Sequence, residues 1–178
     1  MPAWNHRNPP YPDITLVTYG RDTYNCSEIE ATLDAVVDCE SLHKLFEDKL
    51  SSACSGESGR VMLWTVTHPE FYNLVSDAKK QIGNLMDTEP EGPKSPKSKR
   101  ARRVGMRCRH GKHRSRAATH MIRHCLELDG LAVGIWHSHS RTCGCPKKCC
   151  ANRDLMNEFM EDGAAALKVA ERYWRMLG

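Results

Sequence analysis

Short apolar runs alternate along the chain with segments of helical periodicity, and this alternation predicts an α/β domain. Four runs rich in β-branched or apolar residues indicate strands, at 14–19, 35–38, 104–106 and 131–136. Apolar residues at helical spacing indicate helices over 42–50, 71–85 and 117–126, whereas 61–66 fits a strand or another buried segment. Strands that alternate with helices favour a mostly parallel sheet with flanking helices, in which ligands bind at the carboxyl ends of the strands.

Local signals mark where several of these helices begin and end. Thr67 and Glu70 predict a capping box, with Pro69 in the first turn of the helix that follows. Gly130 can adopt the left-handed conformation that ends the third helix. Apolar residues recur along one face from Asn152 onward, so we expect a C-terminal amphipathic helix packed on the core. A helix that binds a partner or a membrane is the alternative.

The length of 178 residues predicts one domain with its own core. We divide the chain into a main domain at 13–141 with a flexible basic insertion at 87–103, a cysteine-rich loop at 142–151 and a C-terminal helix at 152–178. No apolar run reaches the length of a membrane span, and the first residues lack the apolar segment of a secretory signal. We therefore expect an intracellular protein without a membrane partner. It is expected in the cytoplasm or, if 97–103 acts as an import signal, in the nucleus.

The net charge of +4 hides a strong asymmetry. The stretch between Glu91 and Glu127 has twelve Lys and Arg residues and no acidic residue. Such segregation favours a polyanionic partner, either nucleic acid or a phosphorylated small molecule. We expect five basic residues to contact RNA phosphates: Lys97, Lys99, Arg100, Arg102 and Arg103. The alternative is a solvated, disordered basic loop.

The most informative motif is the loop from Cys108 to Ser115, with the sequence Cys-Arg-His-Gly-Lys-His-Arg-Ser. It follows a predicted strand and precedes a predicted helix, an order that can turn backbone N–H groups toward a bound anion. The positive end of the helix and the side chains of Lys112 and Arg114 add to the field. The motif therefore predicts a phosphate-binding site.

The same loop has the spacing that cysteine-dependent phosphatases use around phosphate. Cys108 and Arg114 are separated by five residues and followed by Ser115, so a thiolate, a bidentate guanidinium and a hydroxyl could act together. Asp77 or Asp87 could serve as the general acid, although neither lies in a motif. In a simpler alternative, Cys108 is a buried small apolar residue at a strand end. A cysteine phosphatase is thus the alternative function.

The segment Gly111-Lys112-His113-Arg114-Ser115, preceded by Cys108, resembles the signature loop of the C-terminal domain of RapZ, the bacterial RNase adaptor protein. Three weaker similarities accompany it. Residues 17–20 lie where that family has a strand ending in Ser-Phe-Gly, and 35–38 resembles its Val-Phe-Asp-Val-Arg segment. His139 lies where the family has a His-Arg pair after its last strand. The resemblance covers the domain at 13–141.

The resemblance implies a RapZ C-terminal-domain-like fold and a noncatalytic, regulatory adaptor module that senses a phosphosugar, glucosamine-6-phosphate, and binds small regulatory RNA. The family's kinase-like nucleotide domain has no counterpart in this sequence, so no nucleotide cofactor is expected. Small Thr and Gly residues of the family loop are replaced here by Arg109 and His110. The residues that would bind the phosphate and the rest of the ligand are Arg109, His110, Gly111, Lys112, His113, Arg114, Ser115, His139 and Asp38.

Nine cysteines in a chain without a predicted secretory signal favour reduced thiols over disulfides, since the number is odd. Two histidines and four cysteines lie within 137–150, and zinc prefers such ligands. We expect a structural zinc ion on Cys143, Cys145, Cys149 and Cys150, with a surface loop of free thiols as the alternative. His120 and His124 are one helical turn apart, and we expect them on a solvated basic face rather than in a metal site.

Overall fold

The computed structural model describes residues 9–23, 25–42, 59–88, 101–111, 113–138 and 153–178, with the backbone alone at 153–160. The strands are β1 (Ile14–Gly20), β2 (Ala35–Asp38), β3 (Arg102–Cys108) and β4 (Val133–His137). The helices are α1 (Cys26–Glu30), α2 (Gly59–Val66), α3 (Phe71–Asp87), α4 (Arg114–Leu128) and α5 (Arg153–Met176). A single 3₁₀ turn, Glu40–Leu42, follows β2 among the described residues.

The four strands form a parallel sheet in the order β2-β3-β1-β4. In the central pair, β1 and β3 are aligned from Ile14 opposite Arg102 to Gly20 opposite Cys108. Because every strand runs in the same direction, all four carboxyl ends lie at one edge of the sheet. The arrangement confirms the predicted α/β class, with a parallel sheet, flanking helices and a C-terminal helix.

The central strand β1 is covered on both faces. Ile14 and Leu16 point into the main apolar core, to which helices α2 to α5 contribute. Val17 and Tyr19 belong to the other face, where they pack with Ile29 of α1. A parallel strand buried on both faces requires a nearly continuous apolar sequence, which explains why the run at 14–19 is apolar without strict alternation.

The connections that follow β1 and β3 leave on opposite faces of the sheet. From β1 the chain passes through α1, on the face of the small cluster, to β2 at one edge. From β3 it passes through α4, on the face of the main core, to β4 at the other edge. Where neighbouring connections diverge in this way, the carboxyl ends of the strands form a crevice that binds ligands. The loop that follows β3 therefore lies at the topological switch point.

The helix α5 is attached to the core at its carboxyl end. Ala166, Ala170 and Trp174 recur at helical spacing and are buried. The indole nitrogen of Trp174 donates to Asp129 Oδ2 at 2.7 Å, and Lys79 Nζ donates to the Trp174 carbonyl at 2.9 Å. Through these residues the described side chains of α5, at 161–178, contact the main core. No helix in the described part of the chain is long and apolar enough to cross a membrane.

Several local predictions differ from the structure. The segment at 61–66, which fitted a strand or a buried segment, is the helix α2. The helix α1 has no counterpart among the predicted elements, since it is five residues long and buries only Ile29. At the ends of the insertion predicted at 87–103, Asp87 belongs to α3 and 102–103 belong to β3, and 89–100 lie outside the described residues. The predicted helix over 42–50 lies mostly outside the described residues.

The capping box predicted before α3 does not form. Thr67 Oγ1 donates to the carbonyl of Trp64 at 2.9 Å, at the end of the preceding helix. Glu70 occupies the N-cap position without a side-chain capping bond, and its backbone N–H donates to His68 Nδ1 at 3.0 Å. The hydroxyl and the imidazole each satisfy a neighbouring backbone group, which leaves the reciprocal bonds of the box unmade.

The expectation of a solvated face on α4 is also wrong. Arg116 and His120 lie one helical turn apart and are only 3% and 6% exposed. The ring of His120 lies 6.1 Å from that of His137, which ends β4. His124 is half-buried and pairs with Glu171 of α5 at 3.7 Å. The two histidines of α4 therefore face β4 and α5 rather than solvent alone.

The loop that follows β3 packs so closely against Gly20, at the end of β1, that no side chain fits there. This contact can be tested by substitution. A methyl group there would lie 2.7 Å from the carbonyl carbon of His110, so we expect Gly20→Ala to lower the free energy of unfolding by about 1–3 kcal/mol. The matched control is Gly83→Ala on α3, where a methyl group would meet nothing within 4 Å. That change should raise the free energy of unfolding by about 0.5–1 kcal/mol. Urea unfolding measures both values, and equal effects of the two changes would contradict the close approach.

Candidate phosphate-binding site

The loop between β3 and α4 is held against the end of β1 by two glycines. Gly111 is buried and has a φ of 67°, in the left-handed region that favours glycine. A methyl group on Gly111 would lie 2.6 Å from the backbone nitrogen of Gly20. Two stretches of backbone therefore touch here without intervening side chains.

The peptide groups of the loop are oriented by the turn after β1. The carbonyls of Cys108 and Arg109 accept hydrogen bonds from the backbone N–H groups of Arg21 and Asp22, each at 3.0 Å. In a trans peptide the N–H points opposite to the carbonyl, so the amides of Arg109 and His110 point away from this turn. At the start of α4, the amides of the first turn have no intrahelical acceptor, and Ala117 N–H bonds back to the His113 carbonyl at 2.9 Å. Among the described residues, the amides of Arg109 and His110 thus donate to neither the sheet nor the helix.

The thiol of Cys108 lies inside the loop. It is 2% exposed, accepts a hydrogen bond from the Gly111 N–H at 3.2 Å and donates to Ser115 Oγ at 3.3 Å. Ser115 is fully buried, and its carbonyl accepts a bond from Thr119 Oγ1 at 2.7 Å. The sulfur therefore connects the end of β3, the middle of the loop and the first turn of α4.

The side chain of Arg114 crosses toward β2. It is half-buried, and its Nη1 donates to the carbonyl of Glu40 at 3.1 Å, in the 3₁₀ turn after β2. The Glu40 carboxylate is engaged by Arg21 at 2.8 Å. A guanidinium has five N–H donors, and this bond uses one of them. Arg114 is thus held over the carboxyl edge of the sheet instead of extending into solvent.

Asp38, predicted to approach the ligand, is engaged by the protein itself. Its Oδ1 accepts the Glu40 N–H at 2.8 Å, and its Oδ2 pairs with Arg107 Nη2 at 3.0 Å. Both carboxylate oxygens therefore already have partners that fix the end of β2 beside β3. A role for Asp38 in ligand binding stays a prediction.

A network of side-chain hydrogen bonds and ion pairs that the sequence did not indicate lies on the face of the sheet that carries α1, opposite the main core. Arg107 also pairs with Glu30 at 3.1 Å, and the buried Tyr19 hydroxyl donates to the same carboxylate at 2.9 Å. The hydrogen bond from Tyr19 lowers the pKa of Glu30, and burial raises the pKa of Tyr19 well above its ordinary value. The ion pair with Asp38 raises the pKa of Arg107. The network joins α1, β1, β2 and β3 beneath the loop.

The side chains of Arg109 and His110 are exposed. Arg109 pairs with Asp22 at 3.0 Å, a contact that lowers the pKa of Asp22. These two bulky side chains therefore lie at the surface of the loop. Asp22, which bonds to the loop through both its backbone N–H and its side chain, is held as a carboxylate.

The two residues considered as a general acid do not meet Cys108. Asp77 lies within α3 and accepts a hydrogen bond from Gln81 at 2.8 Å. Asp87 ends α3 beside Thr88, whose carbonyl accepts a bond from Arg102 at the amino end of β3. Cys108 lies at the other end of that strand, so Asp87 belongs to the opposite edge of the sheet.

The two RNA-binding candidates that the structure describes lie in β3 and not in a flexible loop. Arg102 bonds to Thr88 as above, and the Arg103 guanidinium lies 5.8 Å from the centre of the Trp136 ring. The remaining predicted site residues lie outside the described residues: Lys97, Lys99, Arg100, Lys112, His139, Cys143, Cys145, Cys149 and Cys150. Within the described residues, no group of three or more His, Cys, Asp or Glu residues could hold a metal ion.

Comparison of the chain with protein-family models, with curated proteins and with solved structures gave no match. The chemistry of the loop therefore rests on its own geometry, and the resemblance to RapZ stays a prediction.

Proposed function

We propose that the protein is a noncatalytic module that binds the phosphate group of a small phosphorylated ligand at its 108–115 loop. The observation that supports this most is the contact between Gly20 and Gly111, which holds the loop backbone against the end of β1 at the switch point of the sheet. Arg114 lies at the same edge and has donors left for a bidentate bond to phosphate. The amides at the start of α4 add the positive end of the helix dipole.

Several contacts favour binding over catalysis. The Cys108 sulfur is buried and already bonded within the loop, so a phosphate above the amides would not need it. Asp22 is held as a carboxylate by Arg109 and is poorly suited to donate a proton to a leaving group. Binding without bond cleavage requires only the amides and the guanidinium.

The ligand class and the biological role come from the resemblance to the RapZ C-terminal domain. On that basis the ligand is a phosphosugar such as glucosamine-6-phosphate, and the module senses it as a regulatory adaptor that also binds RNA. His139 and Lys112 complete the phosphosugar site. The proposal extends to a structural zinc ion on Cys143, Cys145, Cys149 and Cys150, and to a place in the cytoplasm or the nucleus. Only the sequence supports the ligand class, the adaptor role, the zinc ion and the cellular location.

RNA binding is supported by basic residues that lie close to β3 in the sequence. The stretch between Glu91 and Glu127 holds no acidic residue, and Lys97, Lys99 and Arg100 precede β3 in the sequence. Arg103 reaches the partly exposed Trp136, so cationic and aromatic surface adjoin at the amino-terminal half of the strand. Phosphate contacts from such a segment give affinity without sequence preference.

A second candidate function rests on the surroundings of the Cys108 sulfur. The Gly111 amide donates to the sulfur at 3.2 Å, the Ser115 hydroxyl lies 3.3 Å from it, and Arg114 follows at the phosphatase spacing. In that case the Cys108 sulfur would form a bond to phosphorus as the bond to the leaving alcohol breaks, and the alcohol would take a proton from a solvent water. Water would then release inorganic phosphate and regenerate the thiol.

Removing the guanidinium at the loop tests phosphate binding. We expect Arg114→Ala to weaken the affinity for glucosamine-6-phosphate about a hundredfold, because the alanine cannot make the bidentate charge-assisted bond to phosphate. Isothermal titration calorimetry measures the change. The control is Arg175→Ala on α5, which removes an equal charge from a side chain that is 71% exposed. Unchanged affinity in Arg114→Ala would overturn the assignment.

Neutralising the basic segment tests RNA binding. The combined change of Lys97, Lys99 and Arg100 to Ala should reduce the slope of log K against log salt by about 0.7 for each phosphate of single-stranded RNA that is no longer neutralised. Fluorescence anisotropy at several salt concentrations gives the slope. The control variant removes three exposed cations elsewhere, at Lys80, Lys168 and Arg172. Equal slopes for the two variants would exclude the segment from the RNA site. Adding Arg102→Ala and Arg103→Ala should flatten the slope further.

Turnover distinguishes the two candidate functions. If the loop only binds phosphate, the wild-type protein hydrolyses no phosphate monoester such as p-nitrophenyl phosphate. If Cys108 is a nucleophile, the wild type is active and Cys108→Ser loses that activity while it retains phosphate binding. Release of the nitrophenolate, followed by absorbance, decides between them. We expect no turnover.

A further inference from the structure

Two free thiols end neighbouring strands beneath the phosphate loop. Asp38 of β2 lies opposite Arg107 of β3, and the backbone N–H of Cys39 donates to the Arg107 carbonyl at 2.7 Å. The parallel register therefore continues by one residue and places Cys39 beside Cys108. Both cysteines are free in the structure.

The two side chains lie on the same face of the sheet. Cys39 and Cys108 belong to the main core together with Val37 and Met106, which precede them by two residues on their strands. Their exposures are 0% and 2%. Neighbouring strands are about 4.8 Å apart, and a disulfide spans Cα atoms separated by about 4.4–6.8 Å. Adjacent strand ends on one face can therefore be bridged with little movement.

The two thiols have unequal chemistry. The Cys108 sulfur lies at the loop, where it accepts the Gly111 N–H bond before the amino end of α4, and it is 2% exposed, whereas Cys39 is fully buried. Burial raises the pKa of Cys39, and the neighbouring Cys108 raises it further. Cys108 is thus suited to react first with an oxidant, and Cys39 to close the bond from the neighbouring strand.

We propose that Cys39 and Cys108 form an oxidation site that hydrogen peroxide converts into a disulfide. Peroxide transfers an oxygen atom to the Cys108 sulfur, which gives a sulfenic acid and one water molecule. The Cys39 sulfur then bonds to the Cys108 sulfur and displaces the hydroxyl, which leaves with the Cys39 proton as a second water molecule. The thiol pair is oxidised by two electrons and the peroxide is reduced by two. A reducing thiol such as dithiothreitol reverses the reaction.

The bond would also act on the loop above it. The disulfide would move the Cys108 sulfur away from Gly111 N and Ser115 Oγ. It would also link Cys108 to Cys39, the neighbour of Glu40, whose carbonyl accepts the Arg114 hydrogen bond. We therefore expect the disulfide to weaken phosphate binding about tenfold or more, the loss that accompanies about one charge-assisted hydrogen bond. This expectation rests on the proposed function, whereas formation of the disulfide does not.

The test treats the full-length protein with hydrogen peroxide, blocks the remaining thiols with iodoacetamide in denaturant and maps disulfide-linked peptides by mass spectrometry. We expect a Cys39–Cys108 linkage that dithiothreitol removes. In Cys39→Ser and Cys39→Ala the linkage is absent, and Cys108 is instead labelled by dimedone as a sulfenic acid. Cys26→Ser is the matched control, because Cys26 is more exposed and belongs to the opposite face of the sheet. That variant should form the linkage as the wild type does.

Linkage of Cys108 to any other cysteine, or recovery of both thiols as carbamidomethyl adducts after peroxide treatment, would overturn the thiol pair. Titration of reduced and oxidised protein with glucosamine-6-phosphate is read separately. If the reduced protein does not bind, the proposed function fails while the mapped linkage still stands. If reduced and oxidised protein bind equally, the disulfide forms without acting on the loop, and the coupling is wrong.

Discussion

The close approach of two backbones, at Gly20 and Gly111, is the constraint on which the site depends. Methyl groups at these positions would lie 2.7 and 2.6 Å from the opposing backbone, so only glycine allows the loop to lie against the end of β1. In that position the loop carbonyls accept hydrogen bonds from the backbone N–H groups of Arg21 and Asp22, and these bonds set the direction of the loop amides. The position of the candidate site thus follows from steric exclusion before any charge is considered.

Ion pairs and hydrogen bonds of two arginines then make the carboxyl edge of the sheet more rigid. Arg107 joins Asp38 to Glu30, and Arg114 reaches Glu40, so the short strand β2 is fastened to the longer β3 by side chains at the carboxyl edge of the sheet. These groups are partly exposed, and each such pair contributes little stability by itself. Their value is geometric, because they fix the direction in which the Arg114 guanidinium faces the crevice.

Much of the fold could be predicted because its signals are local. The run at 35–38 is the strand β2 with the same bounds, and the strand-loop-helix order around Cys108 is observed. The helix α2 was ambiguous, since the mostly apolar run at 61–66 has no period that separates a helix from a buried strand. The helix α1 was missed because a five-residue helix with a single buried side chain has almost no periodic signal.

The site could be predicted only in part, for a related reason. The loop residues are contiguous, so their type and order indicated an anion site. The contacts of Arg114 with Glu40, of Tyr19 with Glu30 and of Cys39 with Arg107 depend on how the strands and helices come together, and no spacing within the chain indicates them. The buried position of Arg116 and His120 was missed likewise, because it depends on which helix face meets the sheet.

The central pairing of β1 with β3 also has a consequence for how the molecule assembles. These neighbours are separated in sequence by β2 and several helices, so their ends can meet only after a long loop has closed, at an entropic cost that slows folding. The contact between Gly20 and Gly111 cannot form in a nascent chain whose β3 has not yet left the ribosome. The loop therefore reaches its final position late in the maturation of this protein, once β1 and β3 have paired.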